Sequence, residues 1–128
     1  MDYSWRASVA DSELDALHVE TFGSTAAVPW NDLLQRLALG WATAREGGAL
    51  AGFAAVYWDG RTHAWLQDVM VASAYRRHGV GSRMVATARD AARDAGCAWL
   101  HVDFGADLAP FYLGACGFAP TAAGLLRL

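Results

Sequence analysis

The chain has no lysine and no isoleucine, and all ten of its basic residues are arginine. Charge of either sign is sparse, at 18% of 128 residues, and the formal net charge is -3 with histidine neutral. A balance this weak argues against nucleic acid or an anionic membrane as a partner, so any basic site must be local. One is present, at Arg76-Arg77-His78. Cysteine is also scarce: Cys97 and Cys116 stand in no Cys-x-x-Cys motif and do not make a secreted disulfide framework. No apolar run reaches the roughly 18 residues of a membrane span, and no basic-then-apolar leader follows Met1. A soluble cytoplasmic protein is expected. The four histidines, His18, His63, His78 and His101, show no His-x-x-x-His pairing, so no metal is expected.

What the chain has in quantity is apolar residues, 55% of it, enough for a sizeable core and too many for disorder. Its length suits one domain, residues 1–128, and there is no repeat or linker. Ser4 to Val9 reads as a first strand. Ala10 to Phe22 reads as a helix, with Leu14, Leu17, His18 and Thr21 at helical spacing and Asp11 or Ser12 as its cap. Pro29-Trp30-Asn31 opens a second helix through Leu37, Asn31 capping. Trp41–Arg45, Leu50–Trp58 and Thr62–Val71 read as an antiparallel meander, with Asp59-Gly60 as a two-residue hairpin turn. From Val80 to Ala95 the period changes: Met84, Ala88, Ala91 and Ala95 recur every three to four positions, and Gly96 ends the helix. Cys97–Phe104 reads as a strand, Asp107–Cys116 as a short helix and Leu125–Leu128 as a last edge strand. This order predicts an α/β (α+β) layer fold with a mixed sheet.

The segment Val69 to Ser82 carries the chemistry. An apolar strand runs into a donor-rich turn with Gly79 and Gly81, and the turn opens a helix. Glycine permits positive φ and close approach of a ligand. The first helical turn offers unpaired N–H groups and partial positive charge, which together form a phosphate cradle. Arg76 and Arg77 add full charge beside it. Two other phosphate motifs fail. Gly-x-Gly-x-x-Gly would need glycine at Met84, and a P-loop would need Gly-Lys-Ser or Gly-Lys-Thr.

Arg76-x-x-Gly79-x-Gly81 resembles the Arg/Gln-x-x-Gly-x-Gly/Ala signature of the GNAT superfamily of N-acetyltransferases. Leu66 to Val71 is similar to that family's fourth strand, and Phe111-Tyr112 with Gly117-Phe118 resembles its Phe-Tyr-x-x-x-Gly-Phe segment. The detailed resemblance covers about Thr62 to Phe118; the N-terminal half agrees only in the order of its elements. The resemblance implies a mixed, mostly antiparallel sheet flanked by helices, its fourth and fifth strands splayed around acetyl-CoA. It implies that the amides around Arg77, His78, Gly79, Val80, Gly81 and Ser82 hold the pyrophosphate, with Arg76 as the signature's first side chain. Val69 and Val71 would pair with the pantetheine arm.

Acetyl transfer needs a neutral amine, a donor to the oxyanion, and a proton for the leaving thiolate. By resemblance Tyr112 is the general acid; a phenol of pKa about 10 can protonate a thiolate whose thiol has pKa about 8.5. A tyrosine packed in the core is the alternative. Strict alternation places Trp65, Gln67, Val69 and Val71 on one face, and Leu66, Asp68 and Met70 on the other, unless a bulge intervenes. Gln67 then orients a water that takes the amine's proton, and Asp68 is structural. Trp5, Trp41 and Trp99 read as core; Trp30, Trp58, Glu20, Asp32 and Asp59 are candidates for the acceptor side. The implied partners are a small-molecule or peptide amine and, as often in the family, a second copy in a homodimer. A non-catalytic acyl-CoA-binding or sensing domain is the competing function.

Overall fold

The computed structural model describes residues 1–128. Its elements are β1 (Asp2–Trp5), α1 (Asp11–Phe22), α2 (Trp30–Leu37), β2 (Ala38–Glu46), β3 (Ala49–Trp58), β4 (His63–Val71), α3 (Val80–Asp94) and β5 (Trp99–His101). Short 3-10 turns at Ser73–Tyr75 and Ala106–Leu108 and a π-helical turn at Pro110–Ala115 complete it. The five strands form one sheet in sequence order, antiparallel from β1 to β4 and parallel between β4 and β5. The mixed, mostly antiparallel α/β architecture agrees with the reading of the sequence.

Each face of the sheet carries its own core. Toward α3 lie Ala42, Ala44, Ala54, Val56, Ala64 and Leu66, which meet Met84, Val85, Ala88 and Ala92 of the helix. Toward α1 and α2 lie Trp41, Phe53, Ala55 and Met70, which meet Leu14, Leu17, Trp30 and Leu34. Alternation along β2 and β3 sorts these residues, since successive side chains point to opposite faces. The first face is largely alanine, so α3 can sit close to the sheet. The second needs large side chains to fill the space beneath two helices.

Several local expectations change. β1 is Asp2–Trp5 rather than Ser4–Val9, because its four residues pair with Ala42 to Arg45 and Arg6 then turns out with φ 59°. Neither Asp11 nor Ser12 caps α1. Ala10 stands at the cap, and the Glu13 carboxylate accepts its N–H at 3.0 Å. Asp11 instead accepts from the backbone and side-chain amides of Asn31, which locks the start of α2 to α1. Asn31 is therefore inside α2, not its cap. Glu13 also takes both terminal nitrogens of Arg45 at 2.8 Å, tying α1 to β2. The Arg45 bond first, then the Ala10 amide, holds the Glu13 carboxyl down at about 2.

The β3–β4 turn is longer than a two-residue hairpin. Asp59 Oδ1 accepts the amides of Arg61, Thr62 and His63, so one carboxylate organises the whole connection. Leu125–Leu128 forms no strand, and its leucines are exposed. Trp99 is 65% exposed rather than core, whereas Trp30 is buried, bonds Asp15 through Nε1 at 2.9 Å and cannot line an acceptor pocket.

Candidate active site

The site starts from an irregularity in β4. Phe53 of β3 pairs with Met70, and Ala55 with Gln67, so two residues of β4 oppose Ala54 alone. This is a β-bulge, and Asp68 within it has φ 53°, a left-handed conformation that aspartate tolerates better than most residues. The bulge corrects strict alternation. Leu66, Val69 and Val71 all pack toward the α3 core, while Met70 packs toward α1 and α2. Val69 and Val71 thus lie on the opposite face from Trp65 and Gln67. Asp68 comes under the electrostatic influence of His18 on α1, and burial first, then Asp68, raises the pKa of half-buried Tyr57 on β3. Burial raises the Asp68 carboxyl above the usual range, and the His18 charge opposes it.

A bulge bends its strand. β4 and β5 pair only at His63–Trp99, Ala64–Leu100 and Trp65–His101. β5 is consequently three residues long rather than reaching Phe104, and the strands part beyond Trp65. Beyond that parting, between the end of β4 and residues Asp107 to Ala115, opens a cleft of about 1070 Å³. One wall is Val69 and Val71, with Tyr75, Arg76 and Arg77 beyond. The floor is Gly79, Val80, Gly81 and Ser82. Phe111 and Tyr112 form the far wall.

The floor has the features of an anion cradle. Arg77 and Gly79 are both left-handed, with φ 65° and 77°, and turn the chain into α3. Arg83 is the first residue of the helix whose amide finds a carbonyl, that of Gly79 at 3.1 Å. The amides from Arg77 to Ser82 have no acceptor in the chain. A Cβ on Gly79 would meet nothing within 4 Å, so its requirement is conformational. Gly81 is different: a Cβ there would stand 3.0 Å from the Phe111 ring and 3.5 Å from Val71. Its missing side chain lets the far wall close on the helix. Arg76 Nε donates to the Val71 carbonyl at 2.9 Å, so the signature arginine also fastens the end of β4.

Tyr112 is buried on the π-helical turn and lines the cleft. Its ring stacks on Phe104 at 5.0 Å and meets Phe111 edge-on at 4.8 Å. Its hydroxyl makes no hydrogen bond in the chain and is not a buried orphan, so it reaches the cleft. Burial, then the nearby Cys116, raises its pKa and keeps the phenol protonated.

The structure thus gathers Val69, Val71, Arg76, Arg77, Gly79, Val80, Gly81, Ser82 and Tyr112 around one cleft. Two candidates fall outside it. His78 is exposed and its ring does not line the cleft; Gln67 is exposed on the other face of β4. Among the acceptor-side candidates, Glu20 is committed to the Ser73 amide, Asp32 to Arg36 and Asp59 to its turn. Trp65 is flanked by His63 and His101, whose rings approach within 2.7 Å of each other. Sequence reasoning missed Thr21 and Phe22, which bring the end of α1 to the cleft, and the placement of Asp68. For Asp68 a signal existed: aspartate is depleted in strands, and its presence mid-strand marks irregular backbone.

The family model of the Acetyltransferase (GNAT) family matches residues 7–118. The chain belongs to the GNAT acetyltransferase family. Among curated proteins, none matches it significantly in sequence. Solved structures share the fold. An Arabidopsis thaliana glucosamine-6-phosphate N-acetyltransferase superposes with TM-score 0.77 at 16% identity, over 100% of this chain and 99% of that one. A Trypanosoma brucei acetyltransferase gives 0.73 at 22%, over 99% and 100%. The acetyltransferase AAC(6')-Iy, in complex with a CoA-based bisubstrate analog, gives 0.79 at 18%, over 99% and 96%. This GNAT fold displays its glycine loop, bulged fourth strand and aromatic wall around a single cleft.

Proposed function

We propose that this chain transfers the acetyl group of acetyl-CoA to a primary amine of a small molecule or a peptide, with Tyr112 as general acid. One observation carries the reading: Arg77, Gly79, Val80, Gly81 and Ser82, whose amides are unpaired, line the same cleft as Tyr112, whose hydroxyl bonds nothing in the chain. The donors suit a pyrophosphate, since successive amides, a helix N-terminus and two arginines all favour an anion. A cleft of about 1070 Å³ has room for a large nucleotide-bearing thioester. The CoA-based analog bound to AAC(6')-Iy, of the same fold, adds support.

Val69 and Val71, freed from β5 by the splay, offer backbone groups to the pantetheine amides. The amine attacks the thioester carbonyl from the α1–α2 face of β4. As the C–S bond breaks, Tyr112 donates its phenolic proton to the departing sulfur, and the raised pKa ensures that it holds that proton at neutral pH. Gln67 orients the water that receives the amine's proton, and Asp68, brought beside that route by the bulge, is its carboxylate sink. A carboxyl raised by burial is a stronger base than an exposed one.

A thiol-release assay across a panel of small-molecule and peptide amines tests this. Amine-dependent release is expected. Tight binding of acetyl-CoA with no release on any amine would favour a sensing domain. Absence of binding would overturn the cleft assignment as well.

A further inference from the structure

β4 and β5 hold together at one end only, and that end carries a side-chain cluster the mechanism does not use. The parallel ladder sets His63 beside Trp99 and Trp65 beside His101. Side chains alternate along a strand, so these four share the face opposite to that of Ala64, Leu66 and Leu100, which pack toward α3. His63 Nδ1 and His101 Nε2 lie 2.7 Å apart, one imidazole donating to the other. The two residues stand 38 positions apart in the sequence, so no local spacing reveals the pair. The Trp65 indole lies 4.9 Å from the His101 ring at 18° and 6.2 Å from the His63 ring at 29°. Stacking on two paired strands leaves the imidazoles little freedom. Asp59 adds charge: its Oδ1 accepts the His63 amide at 3.2 Å, which puts a carboxylate beside this residue and favours a cation there.

We propose that His63 and His101 chelate a divalent transition-metal ion of right-angled geometry, Ni²⁺ or Cu²⁺, through Nδ1 and Nε2. Neutral imidazole suits both ions. The spacing selects among metals. With bonds of about 2.0 Å, nitrogens 2.7 Å apart subtend about 85° at the ion, near the right angle of square-planar or octahedral coordination. A tetrahedral Zn²⁺ would need the nitrogens about 3.3 Å apart. The ion takes the place of the shared hydrogen. That proton moves to the donor ring's other nitrogen, so both rings stay neutral and no proton is lost. No third histidine, cysteine or carboxylate completes the set, so water fills the remaining positions and the affinity is micromolar. The bound ion staples β4 to β5 at the closed end of the splay. The site stands on these residues alone and does not depend on the acetyl transfer proposed above.

Calorimetric titration of the untagged, chelator-treated full chain with Ni²⁺ tests the site. One ion per chain at micromolar affinity is expected, with Zn²⁺ binding more weakly. His63→Gln and His101→Gln should each weaken Ni²⁺ at least about tenfold, while His18→Gln and His78→Gln leave it unchanged. A second readout needs no variant: in proton NMR of the wild type, Ni²⁺ should shift or broaden the His63 and His101 ring signals ahead of those of His18 and His78. No binding at millimolar Ni²⁺, tighter binding of Zn²⁺ than of Ni²⁺, an affinity that survives both substitutions, or NMR effects confined to His18 and His78 would overturn the site.

Discussion

The two faces of the sheet are built from different materials. The α3 face is alanine-rich and tight, with Gly81 making room for Phe111. The α1–α2 face is bulky, with Trp30, Trp41, Phe53 and Leu34 filling the volume beneath two helices. The first face holds the cleft floor and must keep a helix terminus in register with β4. The second supports Asp68 and Gln67 and depends on volume more than on any particular motif. A tight face should fail when atoms are added, and a bulky face when atoms are removed.

The largest effect tests the bulky face. Phe53 is fully buried against Trp30, and Phe53→Ala should cost about 3–5 kcal/mol in denaturant unfolding. A loss under about 1 kcal/mol would mean that this face repacks freely, and the contrast would collapse. Next is an addition on the tight face. Gly81→Glu sets a side chain against Phe111 and a negative charge beside the amides, and should weaken acetyl-CoA binding by at least about 100-fold in calorimetry, or roughly 2.7 kcal/mol. Unchanged affinity would remove the cleft floor from the cofactor site.

Smaller effects sharpen the division between cofactor and acceptor sides. Asp68→Asn should lower kcat/KM about 10-fold while leaving acetyl-CoA affinity within about twofold. A base works deprotonated, so the acid limb of the wild-type pH profile should lie above the ordinary carboxylate range and vanish in the variant. Because burial raises the folded-state pKa, Asp68 is destabilising when ionised, and Asp68→Asn should slightly raise the melting temperature at neutral pH. The smallest effect is structural: Glu13→Gln should cost about 1 kcal/mol, since the ion pair is partly exposed and screened. Glu13 has a depressed folded pKa, so its contribution is full above about 4.5 and is lost as pH falls toward about 2. Acid unfolding monitored by fluorescence should show that loss in the wild type only.

The tight face was the legible one. A helix opened by Gly79-x-Gly81 and an aromatic segment ending in Gly117-Phe118 carry local rules that one chain displays, and they led to the cleft lining. The acceptor side followed no such rule. The bulge at Asp68 depends on how β3 and β4 settle their register, and strict alternation hides it; an aspartate in the middle of an apolar strand was the one trace. The sequence pattern overruns β5 by three residues at its C-terminal end and two at its start, because the apolar pattern continues through Phe104, while pairing depends on where β4 bends. Trp99 and Trp30 exchanged their expected surroundings for the same reason: hydrophobicity marks a residue for burial, but topology decides which edge is left open.

The central claim joins cofactor binding to catalysis through Tyr112, so the deciding measurement is a paired one on Tyr112→Phe. Acetyl-CoA affinity and amine-dependent thiol release are measured on wild type and variant with the same acceptor. The account predicts affinity within about twofold and a fall in kcat of about 100-fold or more. Equal kcat in the two proteins would make Tyr112 a packing residue, held by Phe104 and Phe111 for the sake of the wall alone, and would contradict the account.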